Sequence, residues 1–185
     1  MSSTNIQLPS AEDLLQTIAQ KLQPLLQTNL ALVGIQSGGV WLMERLLVLL
    51  ENDIKTNAIE HGTLDVSFYR DDFVSRGLKA ENRPSQIPFE VENKHIILID
   101  DVFYTGRTAR AAMNELFDYG RPASITLAAL INRGGRELPI APQLTAMDIA
   151  LDASQNLQLI QNADGKLSLQ LITSITPNQS SRTQV

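Results

Sequence analysis

Two adjacent carboxylates, Asp100 and Asp101, close the apolar run Ile96-Ile97-Leu98-Ile99, and four residues after Asp101 comes Thr105-Gly106-Arg107-Thr108. A strand that ends in acids and leads into a helix start rich in hydroxyls and glycine suits a phosphorylated sugar. N–H groups of the first helical turn, with the hydroxyls of Thr105 and Thr108, make an anion site for a terminal phosphate. Gly106 has no Cβ to hold that phosphate away. Ionised aspartates accept hydrogen bonds from vicinal hydroxyls, and their charge favours a transition state in which the anomeric carbon becomes cation-like. An acid pair at a strand end also suits a divalent metal in a nucleotide-hydrolysing protein, or a helix cap. The G-x-x-x-x-G-K-S/T loop of such a protein is absent, and an aspartyl phosphotransferase requires different spacing after its acid.

Other candidate groups are weaker. His61 and His95 have no Asp or second His at metal-ligand spacing and read as ordinary surface or strand-edge residues. Trp41, Leu42, Leu46 and Leu49 make a helical stripe suited to core packing or a dimer seam rather than base stacking. Tyr104 either packs on a ribose or fills space, and Asp148 and Asp152 read as solvated turn carboxylates. The absence of cysteine excludes disulfides, thiolate metal sites and cysteine nucleophiles, and fits a reducing compartment.

The elements that must position the acids and the phosphate loop follow from periodicity. Ser10 precedes Glu12 and Asp13, and Leu14, Leu15, Ile18, Ala19 and Leu22 follow at helical spacing, so a capped amphipathic helix is predicted, disturbed in its last turns by Pro24. Leu30 to Ile35 is apolar on both faces, as a strand covered on both sides must be; Ser37-Gly38-Gly39 breaks it before a helix over 40–50. Leu64, Val66 and Phe68 alternate and predict a second strand. Residues 70–93, with Gly77, Pro84 and Pro88, predict a long flexible loop that closes over a site. Ile96 to Ile99 is a strand, Ala109 to Phe117 a helix closed by Gly120, and Ile125 to Ile131 another strand. Leu157 and Leu159, then Leu167, Leu169 and Leu171, flank Asp164-Gly165 as a hairpin.

This alternation predicts an α/β fold: a mainly parallel sheet flanked by helices, with a small C-terminal hairpin hood and a long flexible loop. Ligands of such sheets sit beyond the carboxyl ends of the strands, the edge that carries both glycine loops and both carboxylates. With 185 residues, 43% of them hydrophobic, one domain is expected over 1–175, with its hood at about 140–172 and a disordered tail at 176–185. Fifteen basic against twenty acidic residues give a net charge of −5, so no whole-molecule positive field draws the chain to nucleic acid or anionic lipid. No apolar run nears the roughly 18 residues of a membrane span, and the first ten residues lack the plan of a signal peptide, so a cytoplasmic location and no membrane partner are expected.

The segment IILIDDVFYTGRT at 96–108 resembles the phosphoribosyl-pyrophosphate (PRPP) signature of the type I phosphoribosyltransferases. DDVFYTGRTARAAMNELFDYGRPASI at 100–125, RGGRELPI at 133–140 and FYRDD at 68–72 are similar to one branch. That branch is the PyrR family, bifunctional pyrimidine-operon regulators and uracil phosphoribosyltransferases; the resemblance spans about 30–172. It implies transfer of ribose 5-phosphate from PRPP to uracil, giving UMP and pyrophosphate. Asp100 and Asp101 would hold the ribose hydroxyls. Thr105, Gly106, Arg107 and Thr108 would hold the 5-phosphate, with Val102, Phe103 and Tyr104 in the same PRPP-binding stretch, and the backbone at Ser37 and Gly38 would cradle pyrophosphate. Arg133 would lie beside the nucleotide, Leu157 would belong to the hood over the base, and Arg70 would lead the closing loop. Mg²⁺ would arrive with PRPP rather than on a protein cluster.

Two departures from the branch matter. Its pyrophosphate loop commonly reads Thr-Arg-Gly where this chain has Ser37-Gly38-Gly39, and losing that cation is worth about 2–4 kcal/mol unless Arg70 or Arg76 compensates. Gly135 stands where the branch often has His, on the face assigned to RNA. Arg136 is the candidate RNA contact, for pyrimidine-operon mRNA bound when UMP is present. Two alternatives remain: a nucleotide-sensing RNA-binding attenuator with weak or lost catalysis, and a purine phosphoribosyltransferase. The latter often places Lys after the strand corresponding to 125–131, where this chain has Asn132-Arg133. A homo-oligomer, dimer or tetramer, is expected.

Overall fold

The structure, a computed structural model, describes residues 8–51, 59–66, 84–152 and 154–173. Helix α1 (Ala11–Leu22) opens it; Ser10 holds the cap position, but its hydroxyl makes no capping bond, and its carbonyl instead accepts from Leu14 N–H at 3.2 Å. Glu12 and Asp13 in the first turn suit the positive end of the helix dipole. The predicted disturbance at Pro24 is a short 3₁₀ turn, Gln23–Leu25.

Strand β1 (Leu30–Ile35), helix α2 (Gly38–Glu51) and strand β2 (Glu60–Leu64) come next, then β3 (His95–Phe103), α3 (Arg107–Tyr119), β4 (Ser124–Asn132) and β5 (Leu144–Asp148). The five strands form one sheet in the order β2-β1-β3-β4-β5, all parallel. Successive residues alternate between two cores. Leu30, Leu32, Ile97, Ile99, Ala128 and Leu130 face α1 and α2, whereas Ala31, Val33, Ile96, Leu98, Leu127 and Ala129 face α3. Both faces being covered explains why these strands read as unbroken apolar runs. Strands β6 (Gln155–Gln161) and β7 (Leu167–Thr173) make a separate antiparallel hairpin, docked on the α1/α2 side through Leu157, Leu159 and Leu167.

Two expectations need correction. The second strand runs Glu60–Leu64, earlier than the Leu64-Val66-Phe68 reading; its pairing stops where β1 stops, at Ile35↔Leu64, and Val66 is buried beyond the ladder. Phe68 lies outside the described residues. Of the loop expected over 70–93, only residues 84–93 are described; they form no helix or strand, most are exposed, Gln86 bridges Thr63, and Val91 is fully buried. Arg70, Arg76 and Gly77 lie outside the described residues, as does the tail at 176–185. Finally, Leu144–Asp148 is the fifth strand of the main sheet rather than part of the hood, because β4 offers it a ladder over Ala128 to Asn132.

Candidate active site

The order β2-β1-β3 reverses chain direction across the sheet between β1 and β3, and a crevice opens at such a switch point beyond the carboxyl ends of the two strands. The loop leaving β1 is Gln36-Ser37, joined by a cis peptide bond, with Gly38 and Gly39 opening α2. The loop leaving β3 carries the acids. Between the two loops there is no room for a side chain: a Cβ on Gly38 would stand 2.7 Å from Asp101 Cβ and nearer still to its carboxylate. A Cβ on Gly39 would press on the Ile99 carbonyl. The two segments that sequence reasoning assigned to pyrophosphate and ribose are therefore in direct apposition.

Asp100 and Asp101 are buried, and Asp100 Oδ1 accepts the Asp101 N–H at 3.0 Å. Val102 and Phe103 continue β3 alongside Ile131 and Asn132, with the Phe103 side chain in the α3-side core. Tyr104 leaves the strand. Thr105 is buried, and its hydroxyl oxygen accepts the Arg107 N–H at 3.2 Å, capping the start of α3. Gly106 sits at φ +93, a left-handed conformation that places the next amides in a row at the helix start. Thr108 is half-buried on that first turn. The Thr105 carbonyl accepts from the N–H groups of Glu137 (3.0 Å) and Leu138 (3.1 Å), so the segment after β4 buttresses the cup from behind.

Two arginines are held in ways the sequence did not signal. Arg107 directs its guanidinium at Glu137, with Nε and Nη2 at 3.0 and 2.6 Å from Oε2. Glu137 was legible only as part of RGGRELPI, with no role attached. Arg133, expected beside the nucleotide, is buried and turned into the protein. Its Nη2 donates to the Gln155 carbonyl at 3.0 Å and its Nη1 to Asn156 Oδ1 at 3.3 Å, while its Cζ lies 3.8 Å from the Tyr104 ring centroid. Thus Tyr104 packs on an arginine. Leu157 is also buried, next to Asn156 on β6.

The remaining candidates resolve simply. His95 begins β3, at the opposite end from the acids, with Nδ1 2.8 Å from Ser124 Oγ; His61 Nδ1 is 3.1 Å from the Ile59 carbonyl oxygen. Leu42 and Leu46 are core, with Trp41 and Leu49 packed against it. Asp148 ends β5 and accepts from Asn132 Nδ2 at 2.7 Å, not from solvent alone. Arg136 is exposed, one residue past Gly135. Among the described residues no group of three or more His, Cys, Asp or Glu is placed to hold a metal, and no helix is long and apolar enough to cross a membrane.

Residues 4–151 match the phosphoribosyl transferase domain family. Bifunctional protein PyrR of Nitrosococcus oceani is 49% identical over 142 residues, covering 77% of this chain and 78% of that protein. Bifunctional protein PyrR of Pseudomonas aeruginosa is 43% identical over 171 residues, covering 90% of this chain and 98% of that protein. The chain belongs to the PyrR family of phosphoribosyltransferases. A hypoxanthine phosphoribosyltransferase structure from Staphylococcus aureus superposes with a TM-score of 0.59 at 22% identity, over 82% of this chain and 80% of that one. At that identity the likeness shows the fold alone, and it is the expected fold, a parallel sheet flanked by helices; this PyrR-family chain also carries an antiparallel hairpin.

Proposed function

We propose that the chain is a uracil phosphoribosyltransferase, converting PRPP and uracil to UMP and pyrophosphate, and also a pyrimidine-nucleotide-dependent regulator of pyrimidine-operon expression. The single observation that carries the catalytic reading is the apposition of Gly38 to Asp101 at the switch point, one turn of chain from the Thr105–Thr108 cup. A sugar seated there has its 5-phosphate on the amides that open α3, its hydroxyls toward Asp100 and Asp101, and its pyrophosphate on the backbone of Ser37 and Gly38. The C1–O bond to pyrophosphate breaks as N1 of uracil bonds to C1, and the N1 proton leaves to solvent. The buried carboxylates favour the positive charge that develops at C1 between those two events.

Mg²⁺ would ride in with PRPP, since it keeps several waters and takes few protein carboxylates when phosphates supply the rest. When bound it would neutralise the pyrophosphate as that group departs. Arg70, implied by resemblance alone, would lead a loop that excludes water from the reacting carbon. The hood would present the backbone around Leu157 to the base. For the regulatory activity, exposed Arg136 is the proposed contact to pyrimidine-operon mRNA, with affinity that falls with salt.

PRPP and Mg²⁺ incubated with each nucleobase in turn, with pyrophosphate release measured, tests the catalytic reading. Release with uracil is expected, and Asp101→Asn should lower turnover by about 10²-fold or more. Release with a purine base only, or an unaffected Asp101→Asn variant, would overturn it. Filter binding of operon leader RNA with and without UMP tests the regulatory half; no binding at low salt would remove it.

A further inference from the structure

Through its side chain Arg133 touches both the sugar-phosphate loop and the hood. Its backbone is sewn to the end of β3 by an N–H···O bond of 3.0 Å to the Phe103 carbonyl. Its guanidinium carbon lies over the ring of Tyr104, the residue between the acid-bearing strand and Thr105, and its two Nη atoms end on Gln155 and Asn156 of β6. Only 7% of the residue is exposed, and Nε is buried without a hydrogen-bond partner. Burying a guanidinium with one N–H unsatisfied is costly, so this contact is a poor source of bulk stability. It does supply a defined geometry, since only a planar fork can stack on a ring and bond two acceptors beyond it.

The ring has its own support. Gly135, at φ +73, lies under the edge of Tyr104: a Cβ there would stand 3.0 Å from Cδ2 and closer to Cε2. A side chain at 135 would press on the edge of this ring, at a backbone angle that itself favours glycine, so the ring keeps its present place because residue 135 is glycine.

We propose that Arg133, stacked on Tyr104, is a positioning residue that sets the distance and orientation of the hood relative to the sugar-phosphate loop, and so builds the base subsite without forming the phosphate site. It acts through Gln155 and Asn156, whose strand continues directly into Leu157. This rests on the reading of the hood as the cover over the base.

Arg133→Lys keeps the charge and loses the planar stack and the second bond. Steady-state kinetics should show KM for uracil raised about tenfold, the size expected for one lost charge-assisted contact, with kcat changed less than threefold. Calorimetric PRPP affinity without base should stay within twofold. In the ligand-free protein, amide hydrogen exchange over 155–157 should speed up about tenfold, a readout that holds whatever the substrate is. Tyr104→Leu should reproduce the faster exchange over 155–157, and the double variant should exchange no faster than the worse single one. If Arg133→Lys does not fold, Asn156→Ala removes the far end of the strut and should speed the same amides. Unaltered exchange over 155–157 overturns the strut even if uracil transfer is confirmed. Faster exchange with no transfer to any base keeps the strut and sinks the proposed function instead. A PRPP affinity that weakens as much as the KM for uracil rises would make Arg133 a direct ligand contact, also overturning the proposal.

Discussion

A single methyl group at Gly38 probes the apposition on which the site depends. In Gly38→Ala the new Cβ falls 2.7 Å from Asp101 Cβ. That is about 1 Å inside ordinary carbon–carbon contact, and the carboxylate beyond is tighter still. Asp101 extends from β3 beyond its last pair with β1, at Ile99, but inside its ladder with β4, so the Ser37-Gly38 loop yields, by about 1 Å. Overpacking of this kind costs about 1–3 kcal/mol of stability. With Ser37 and Gly38 in the proposed role of pyrophosphate cradle, a displacement of about 1 Å from the reacting carbon should cost about 10²-fold in turnover. Urea denaturation and initial rates of pyrophosphate release, measured on the same preparation, separate the two. A folded variant with kcat/KM within threefold of the unaltered protein would refute the claim that this loop closes on the acid. Gly39→Ala supplies the contrast, because its Cβ meets the Ile99 main chain, with the carbonyl carbon at 3.1 Å and the oxygen closer. A backbone carbonyl cannot rotate aside, so the loss there should appear mainly in folding.

Three further outcomes follow from the same geometry. Glu137→Gln removes the acid beside Arg107, a half-exposed pair worth no more than about 1 kcal/mol to stability, and should lower KM for PRPP about two- to fivefold by leaving the cup more positive; an unchanged or raised KM counts against it. Thr105→Asp, which puts charge at a buried position of the cup, should abolish calorimetric PRPP binding at any Mg²⁺ concentration, and retained binding would place the phosphate elsewhere. Glu12 joins Arg45 at 2.6 Å and accepts the Leu167 N–H at 3.0 Å, tying the hairpin to α1 and α2. Glu12→Ala should cost about 1–3 kcal/mol and speed amide exchange around 162–167 while leaving β3 protected; uniform exchange across both would deny the clip.

Strands β1, β3 and β4 were legible because both their faces are buried, so their central runs are apolar without alternation and no pairing partner need be known. Helices α1 and α3 were legible from their stripes, and the strand-end acids and the helix start at Thr105 to Thr108 from residue type and spacing along one stretch of chain. Strand β5 was not. Leu144-Thr145-Ala146-Met147-Asp148 has no pattern of its own and is extended because β4 supplies a ladder. The shift of β2 has the same origin, since an edge strand ends where its neighbour ends.

At the site, the chemistry of each group was a property of the sequence: Asp100 and Asp101 are acids at a strand end and Thr105 to Thr108 a helix start wherever the chain goes. What Gly38 faces, which way Arg133 turns and what holds Arg107 were decided by contacts between segments 22 to 63 residues apart. Local pattern reports which elements form, because propensity and periodicity act within a few residues. The apposition of loops from β1 and β3, and of β4 with the hood, arises only once the sheet order is set and close packing leaves each side chain one place to go.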